Sequence, residues 1–321
     1  MCGGCKAALR RIGGVGGARP PDSAIRTVRP RDKDGAPRTR EQASQPKEDT
    51  VKVVILCGGK GTRLREETEF RPKPMVEIGG RPILWHIMKL YAHYGFDEFV
   101  LCLGYKGAMI KEYFLNYDSM LHDFTLTVGG RSKPTITFHD NDERHNFMVT
   151  LADTGEETLT AGRLMRIQRY VDADTFMVTY GDGVADVNIP DLLEFHRAHG
   201  KIATVTAIRP VSRFGMLDLD GAGQVAQFTE KPQVDEWING GFFVFDRRVF
   251  GYLSEECMLE QEPMVNLAAD GQLVAYRHGG FWQAMDTYRD TLFLNDIWRR
   301  GHAPWAIWQR TAEKARVRDG Q

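Results

Sequence analysis

Residues 57–75, CGGKGTRLREETEFRPKPM, gather side chains suited to binding a polyanion. Gly58, Gly59 and Gly61 fall within four positions, so the main chain can approach a bulky anion and donate amide hydrogens to phosphate oxygens. Arg63 and Lys73 add two positive charges beside that loop, as a triphosphate requires. Pro72 and Pro74 stiffen the backbone on both sides of Lys73. The loop is not a P-loop, because no Gly-Lys-Ser/Thr closes it. Leu64 stands where a dinucleotide fingerprint places its third glycine. A purely structural turn after a strand uses the same glycines.

Asp182, in YGDGVAD, lies between two glycines at the carboxyl end of an apolar run, the edge where open α/β sheets bind ligands. Asp186 reads more simply as an Asx-turn. Asp286, in FWQAMDT, precedes a long helical pattern, where an N-cap is the purely structural alternative. Glu230 and Lys231 follow another strand. Asn239 and Gly240 suit hydroxyl recognition and equally a plain hairpin. TAGRL, 160–164, reads as a helix start with an exposed arginine. Nine histidines and five cysteines show no triad or metal-ligand spacing. His86, among apolar neighbours on a helix, is expected to be packed.

The elements that must position these residues follow from periodicity. VKVVILCGG is a continuous β-branched run ending in glycines, a strand buried on both faces. PILWHIMKLYAHY, 82–94, repeats its apolar residues at helical spacing, with Pro82 in the first turn and Gly95 at the end. EFVLCLG then gives the next strand and a βαβ unit, hence a parallel sheet. Further strands are expected at 175–180, 202–208, 224–230 and 241–245, and helices at 190–199 and 286–300. FTLTV, TITFHD and FMVTLAD are expected to form short antiparallel strands in a polar excursion. The fold expected is α/β: a Rossmann-like, mixed but mostly parallel sheet with an inserted β-hairpin region and a C-terminal extension.

GGKGTRL followed by PKPMVEIGGRPILWHIM resembles the sugar-1-phosphate nucleotidyltransferases, nearest to those that join CTP to glucose 1-phosphate. The likeness continues through TLADTGEETLTAGRL, YGDGVADV, RFGMLDL, EKP, INGGFFVF, EQEP and FWQAMDTYRD, from Val51 to about Trp308. Cys57 stands where relatives carry alanine, and residues 128–148 do not align. The resemblance implies transfer of a cytidylyl group, with UTP, dTTP or GTP as rival donors and a non-catalytic nucleotide-sugar binder as the rival class. It implies that Arg63, Lys73 and Asp182 are catalytic. Nucleotide contacts would come from Leu56, Gly58, Gly59, Gly61, Thr62, Arg63, Lys73, Thr158, Gly162, Arg163 and Gly181. In that set Thr158 and Arg163 would read the base, and Gly162 would let it lie against the backbone. Glu230, Lys231, Asn239 and Gly240 would hold the sugar phosphate, Glu262 being better explained as a helix-dipole partner. Asp182 and Asp286 would hold Mg²⁺. A homo-oligomer is also implied, with 128–148 as a contact surface.

Composition narrows the classes. The 321 residues carry 42 basic and 43 acidic side chains, so there is no general nucleic-acid footprint. No apolar run reaches the length of a membrane span. Five cysteines do not make a disulfide framework and suit a reducing cytoplasm. Residues 1–50 hold eleven Lys or Arg against six Asp or Glu, with seven Gly and five Pro. They are expected to be a disordered basic extension, with translation naturally starting near Val51. The nucleotidyltransferase domain is expected over 51–310 and a tail over 311–321.

Overall fold

The computed structural model describes residues 50–129, 135–139, 146–212 and 214–309. The chain divides into two units, Met1–Lys47 and Glu48–Gln321, and every described residue belongs to the second. The expectations for the basic extension and the C-terminal tail fall outside the described residues, apart from Thr50.

The central sheet is built from β1 (Val53–Cys57), β2 (Glu98–Leu103), β3 (Met148–Asp153), β4 (Thr175–Tyr180), β5 (Ala203–Ile208), β6 (Phe243–Asp246) and β7 (Leu273–His278). Their spatial order is β3-β2-β1-β4-β6-β5-β7, and the two-residue strand Ile238–Asn239 also pairs with β5. β1 runs parallel to both β2 and β4, β2 to β3, and β5 to β7. Only the chain through Ile238–Asn239 and β6 runs antiparallel to its neighbours. The mixed, mostly parallel sheet expected from the sequence is therefore present.

β1 is buried along its whole length because it feeds two cores. Val53, Ile55 and Cys57 face a layer containing the helix α1 (Ile83–His93) and the helix α3 (Ile189–His199). Val54 and Leu56 face the opposite layer, where α2 (Thr160–Ile167) packs through Ala161, Leu164 and Ile167. A strand alternates its side chains, so an unbroken apolar run is what two covered faces demand. Each fully buried Val, Leu or Ile contributes about 1.5–3 kcal/mol relative to exposure.

Three local expectations need correction. FMVTLAD is not part of an antiparallel excursion: Met148–Asp153 is the outer parallel strand of the main sheet, in register with Glu98–Leu103. Phe124–Thr127 and Thr135–Phe138 do pair antiparallel, as a two-stranded hairpin of their own. The last long helix, α4 (Tyr288–Arg299), is capped by Thr287 rather than by Asp286, through a capping box with Asp290. Pro82 is the N-cap of α1 and not its first helical residue. His86 is packed: Nε2 donates to the Ile78 carbonyl at 2.9 Å and Nδ1 accepts from Trp305 Nε1 at 3.3 Å.

Candidate active site

The glycine loop leaves β1 at the carboxyl edge of the sheet and turns immediately into a 3₁₀ turn, Thr62–Leu64. Gly61 has φ 62°, a left-handed conformation that glycine adopts without a Cβ penalty. Thr68 Oγ1 lies 3.1 Å from the Gly61 carbonyl and 2.9 Å from that of Leu64, so the loop is tied back onto the helix that follows it. Beside this loop opens a cavity of about 350 Å³. Of the residues expected at the nucleotide, Leu56, Gly58, Gly59, Gly61, Thr62, Arg63, Lys73, Thr158, Arg163 and Gly181 all line it, as does Asp182.

Lys73 opens a second 3₁₀ turn, Lys73–Met75, between Pro72 as N-cap and Pro74. Its backbone is thereby fixed and its side chain is nearly buried, at 9% exposure. The ammonium sits 2.6 Å from Asp182 Oδ2 and 2.7 Å from Asp286 Oδ1. Arg63 Nη1 lies 2.9 Å from the other oxygen of Asp286. Asp182 and Asp286 come together because Gly183–Ala185 and Trp282–Ala284 pair antiparallel, and the Met285 amide donates to the Asp182 carbonyl at 2.8 Å. The four charged residues singled out around the loop and at the two aspartates thus form one cluster.

Arg163 does different work from that expected. It is 4% exposed, and its guanidinium is spent on the protein itself. Nη1 donates to the Leu103 and Gly155 carbonyls and to Thr154 Oγ1, at 3.1, 2.8 and 2.8 Å. Nη2 donates to the Gly58 and Glu156 carbonyls at 3.0 and 3.1 Å. Burial pulls its pKa below the ordinary arginine value, and five oxygens answer the buried charge. Arg163 therefore pins the first residue of the glycine loop to the ends of β2 and β3, and reading a base is not its task in this arrangement. Gly162 is likewise not open to a base: a Cβ there would meet the Glu255 carbonyl at 2.5 Å, so its missing side chain serves close packing of α2.

Thr158 remains at the cavity wall, its Oγ1 accepting from Arg166 Nη1 at 2.9 Å. Asp186 is no Asx-turn. Its Oδ1 accepts from the Phe281 amide at 2.7 Å and lies 3.1 Å from His278 Nε2, clasping the loop before Trp282–Ala284.

The residues expected at the sugar phosphate lie apart from the lining of this cavity. Lys231 has φ 46°, an unusual backbone for a lysine, and its ammonium is 3.3 Å from Glu230. Asn239 and Gly240 do not form a tight hairpin turn; the Gly240 amide bonds the Thr206 carbonyl, and the Gly240 carbonyl accepts from Trp282 Nε1 at 2.7 Å. Asn239 reaches the cavity through Tyr180: its Nδ2 is 3.2 Å from the Tyr180 hydroxyl, which donates to Glu260 Oε1 at 2.6 Å. Glu260 Oε2 accepts from Thr160 Oγ1 at 2.8 Å. Sequence reasoning passed over Glu260 although it opens the EQEP motif. Glu262, two residues on, starts an exposed helical turn as expected of a dipole partner.

Burial raises the pKa of Cys57 well above that of an ordinary thiol. Burial and the adjacent Glu260 raise that of Tyr180. Both keep their protons near neutral pH, so neither offers an anionic nucleophile. The arrangement suits charge neutralisation and positioning.

Comparison with known proteins shows the family. The nucleotidyl transferase family matches residues 52–283. A glucose-1-phosphate cytidylyltransferase of Salmonella typhi is 51% identical over 262 residues, covering 81% of this chain and all of the relative. A probable glucose-1-phosphate cytidylyltransferase of Bacillus subtilis is 47% identical over 260 residues, covering 80% of this chain and all of the relative. Among solved structures, HddC from Yersinia pseudotuberculosis shares the fold with a TM-score of 0.56 at 22% identity, over 77% of this chain and 99% of that one. With a family match across most of its length and relatives of about half-identical sequence, this chain belongs to the nucleotidyl transferase family.

Proposed function

We propose that the chain transfers a cytidylyl group from CTP to glucose 1-phosphate, giving CDP-glucose and pyrophosphate. The observation that carries this reading is the meeting of Lys73, Arg63, Asp182 and Asp286 beside a glycine-lined cavity. The choice of cytosine and glucose follows the two relatives of that name.

A sugar phosphate is already an anionic oxygen nucleophile, so no general base is required. The barrier is repulsion between two polyanions, and the chain's cations address it. Loop amides, Arg63 and Lys73 would hold the triphosphate. Lys231 would hold the incoming phosphate, with Glu230, Asn239 and Gly240 on the sugar. Thr158 would bond the base.

Asp182 and Asp286 fit a hard divalent cation. A positive group, the Lys73 ammonium, already stands between them. Among the described residues no third His, Cys, Asp or Glu gathers there, which leaves positions for phosphate and water. Mg²⁺ held by these two carboxylates would withdraw charge from the phosphate oxygens.

Pyrophosphate release with glucose 1-phosphate, measured across CTP, UTP, dTTP and GTP with and without Mg²⁺, tests the reading. Fastest turnover with CTP and none without the metal are expected. Preference for another nucleotide would overturn the base assignment, and no release with any would overturn the activity.

The chain is also proposed to act as a homo-oligomer in the cytoplasm. Among the described residues no helix is long and apolar enough to cross a membrane. The hairpin Phe124–Thr127 with Thr135–Phe138 exposes Phe124, Leu126 and Ile136, which supports it as a contact surface. Sedimentation of a variant with these three changed to serine should shift to a smaller species; an unchanged mass would discard this surface.

A further inference from the structure

The charges around Lys73 cancel without any added ion. Lys73 and Arg63 face Asp182 and Asp286, with separations of 2.6, 2.7 and 2.9 Å. A divalent ion seated on the same two carboxylates would displace the ammonium or leave it beside a dication. Lys73 is 7% exposed, so solvent could screen little of that repulsion. Its backbone cannot carry the charge away, because the turn is bracketed by Pro72 and Pro74.

The side chain borders the glycine loop as well as the carboxylates. Its stem runs along the glycine loop: Lys73 Cβ and Cδ lie 3.2 and 3.5 Å from the position a Cβ would take at Gly61. Lys73 also lines the cavity that Gly58, Gly59 and Gly61 line. A rotation of the side chain would carry the ammonium from the carboxylates toward an anion held by the loop.

We propose that Lys73 occupies the cation position of the empty enzyme and bars a divalent metal until a nucleoside triphosphate draws the ammonium away. The inference rests on the nucleotidyl-transfer reading and adds an order of events to it. Metal alone would leave the cluster about two charges positive, and triphosphate alone would leave it strongly negative. Each therefore favours the other, and by linkage each tightens the other's binding by the same factor. Lys73 serves as placeholder first and phosphate ligand second.

Mn²⁺ binding followed by electron paramagnetic resonance tests this on the full chain, with α,β-methylene-CTP as the non-reacting nucleotide. Wild-type protein alone should bind Mn²⁺ roughly tenfold or more weakly than in the presence of the analogue. Lys73→Met, which keeps the stem and removes the charge, should tighten binding of Mn²⁺ alone by about tenfold or more. Equal Mn²⁺ affinity with and without analogue in wild type overturns the proposal. So does a folded Lys73→Met protein with unchanged affinity for the metal alone. Reciprocity gives a check that needs no variant: analogue affinity must rise on adding Mn²⁺ by the same factor, and no rise overturns the idea. Failure of the nucleotide reading shows differently, as no analogue binding under any condition. The metal-alone arm with Lys73→Met still reads the barrier in that case.

Discussion

A methyl group added at Gly58 would lie 2.0 Å from Nη1 of Arg163, so the buried guanidinium packs this closely behind the loop because Gly58 has no side chain. The Gly58 carbonyl accepts from both Arg163 Nη2 and the Tyr105 amide, at 3.0 and 3.1 Å. The glycine loop is held from behind by these two bonds.

Arg163→Lys should therefore harm nucleotide binding without touching the substrate. A single ammonium cannot serve five oxygens, and each buried acceptor left unpaired costs about 1–3 kcal/mol. We expect the KM for CTP to rise more than about tenfold, with a lowered thermal midpoint in scanning calorimetry. Gly58→Ala should move the same two quantities in the same direction. An Arg163→Lys enzyme with wild-type KM for CTP would remove Arg163 from any role in shaping the loop.

Lys231→Ala separates the two substrates. The residue sits next to Glu230 with a left-handed backbone, and the proposed role concerns the sugar phosphate alone. Steady-state kinetics should show the KM for glucose 1-phosphate raised by roughly 10- to 100-fold, and that for CTP changed by less than about threefold. An equal rise in both would place the lysine at the nucleotide instead.

Asp182→Asn retains the shape of the side chain and removes its charge. Its consequence should be a fall in kcat of at least about 100-fold at saturating Mg²⁺, with circular dichroism unchanged. A variant with near-normal turnover would move the metal away from this carboxylate.

Acid should loosen the packing around α1. Burial lowers the His86 pKa from 6.5 to about 4, and its ring already satisfies Ile78 and Trp305 in the neutral form. A depressed folded-state value means the stability contribution is complete above the unfolded pKa, near 6.5, and is lost as pH falls toward 4 and below. The loss is on the order of 3 kcal/mol across that window. Denaturant midpoints measured from about pH 7 to about pH 4 should decline, and His86→Gln should decline less steeply. Parallel slopes for the two proteins would rule out this histidine as a cause.

Much of the scaffold was legible because its signals are local. The apolar run at β1, the helical spacing over Ile83–His93 and the glycines of residues 58–61 each declare themselves within one window. The strand Met148–Asp153 did not, because its sequence shows strand character but not the direction or identity of its partner, Glu98–Leu103. Arg163 was misread for a related reason: TAGRL looks like an exposed helix start, and only the tertiary fold surrounds that arginine with carbonyls from Gly58, Leu103, Gly155 and Glu156. Glu260 was overlooked because its partners, Thr160 and Tyr180, are 100 and 80 residues away. The pairing of Asp182 with Asp286 came from resemblance; no spacing rule links residues so distant.

That distance bears on how the protein comes into being. The short ladder between Gly183–Ala185 and Trp282–Ala284 is what delivers the second carboxylate. During synthesis, a growing polypeptide that has emerged as far as Asp182 already contains the glycine loop, Arg63 and Lys73, yet lacks half of their counter-charge. The cluster reaches charge balance only after Asp286 has been made and the strand before it has paired.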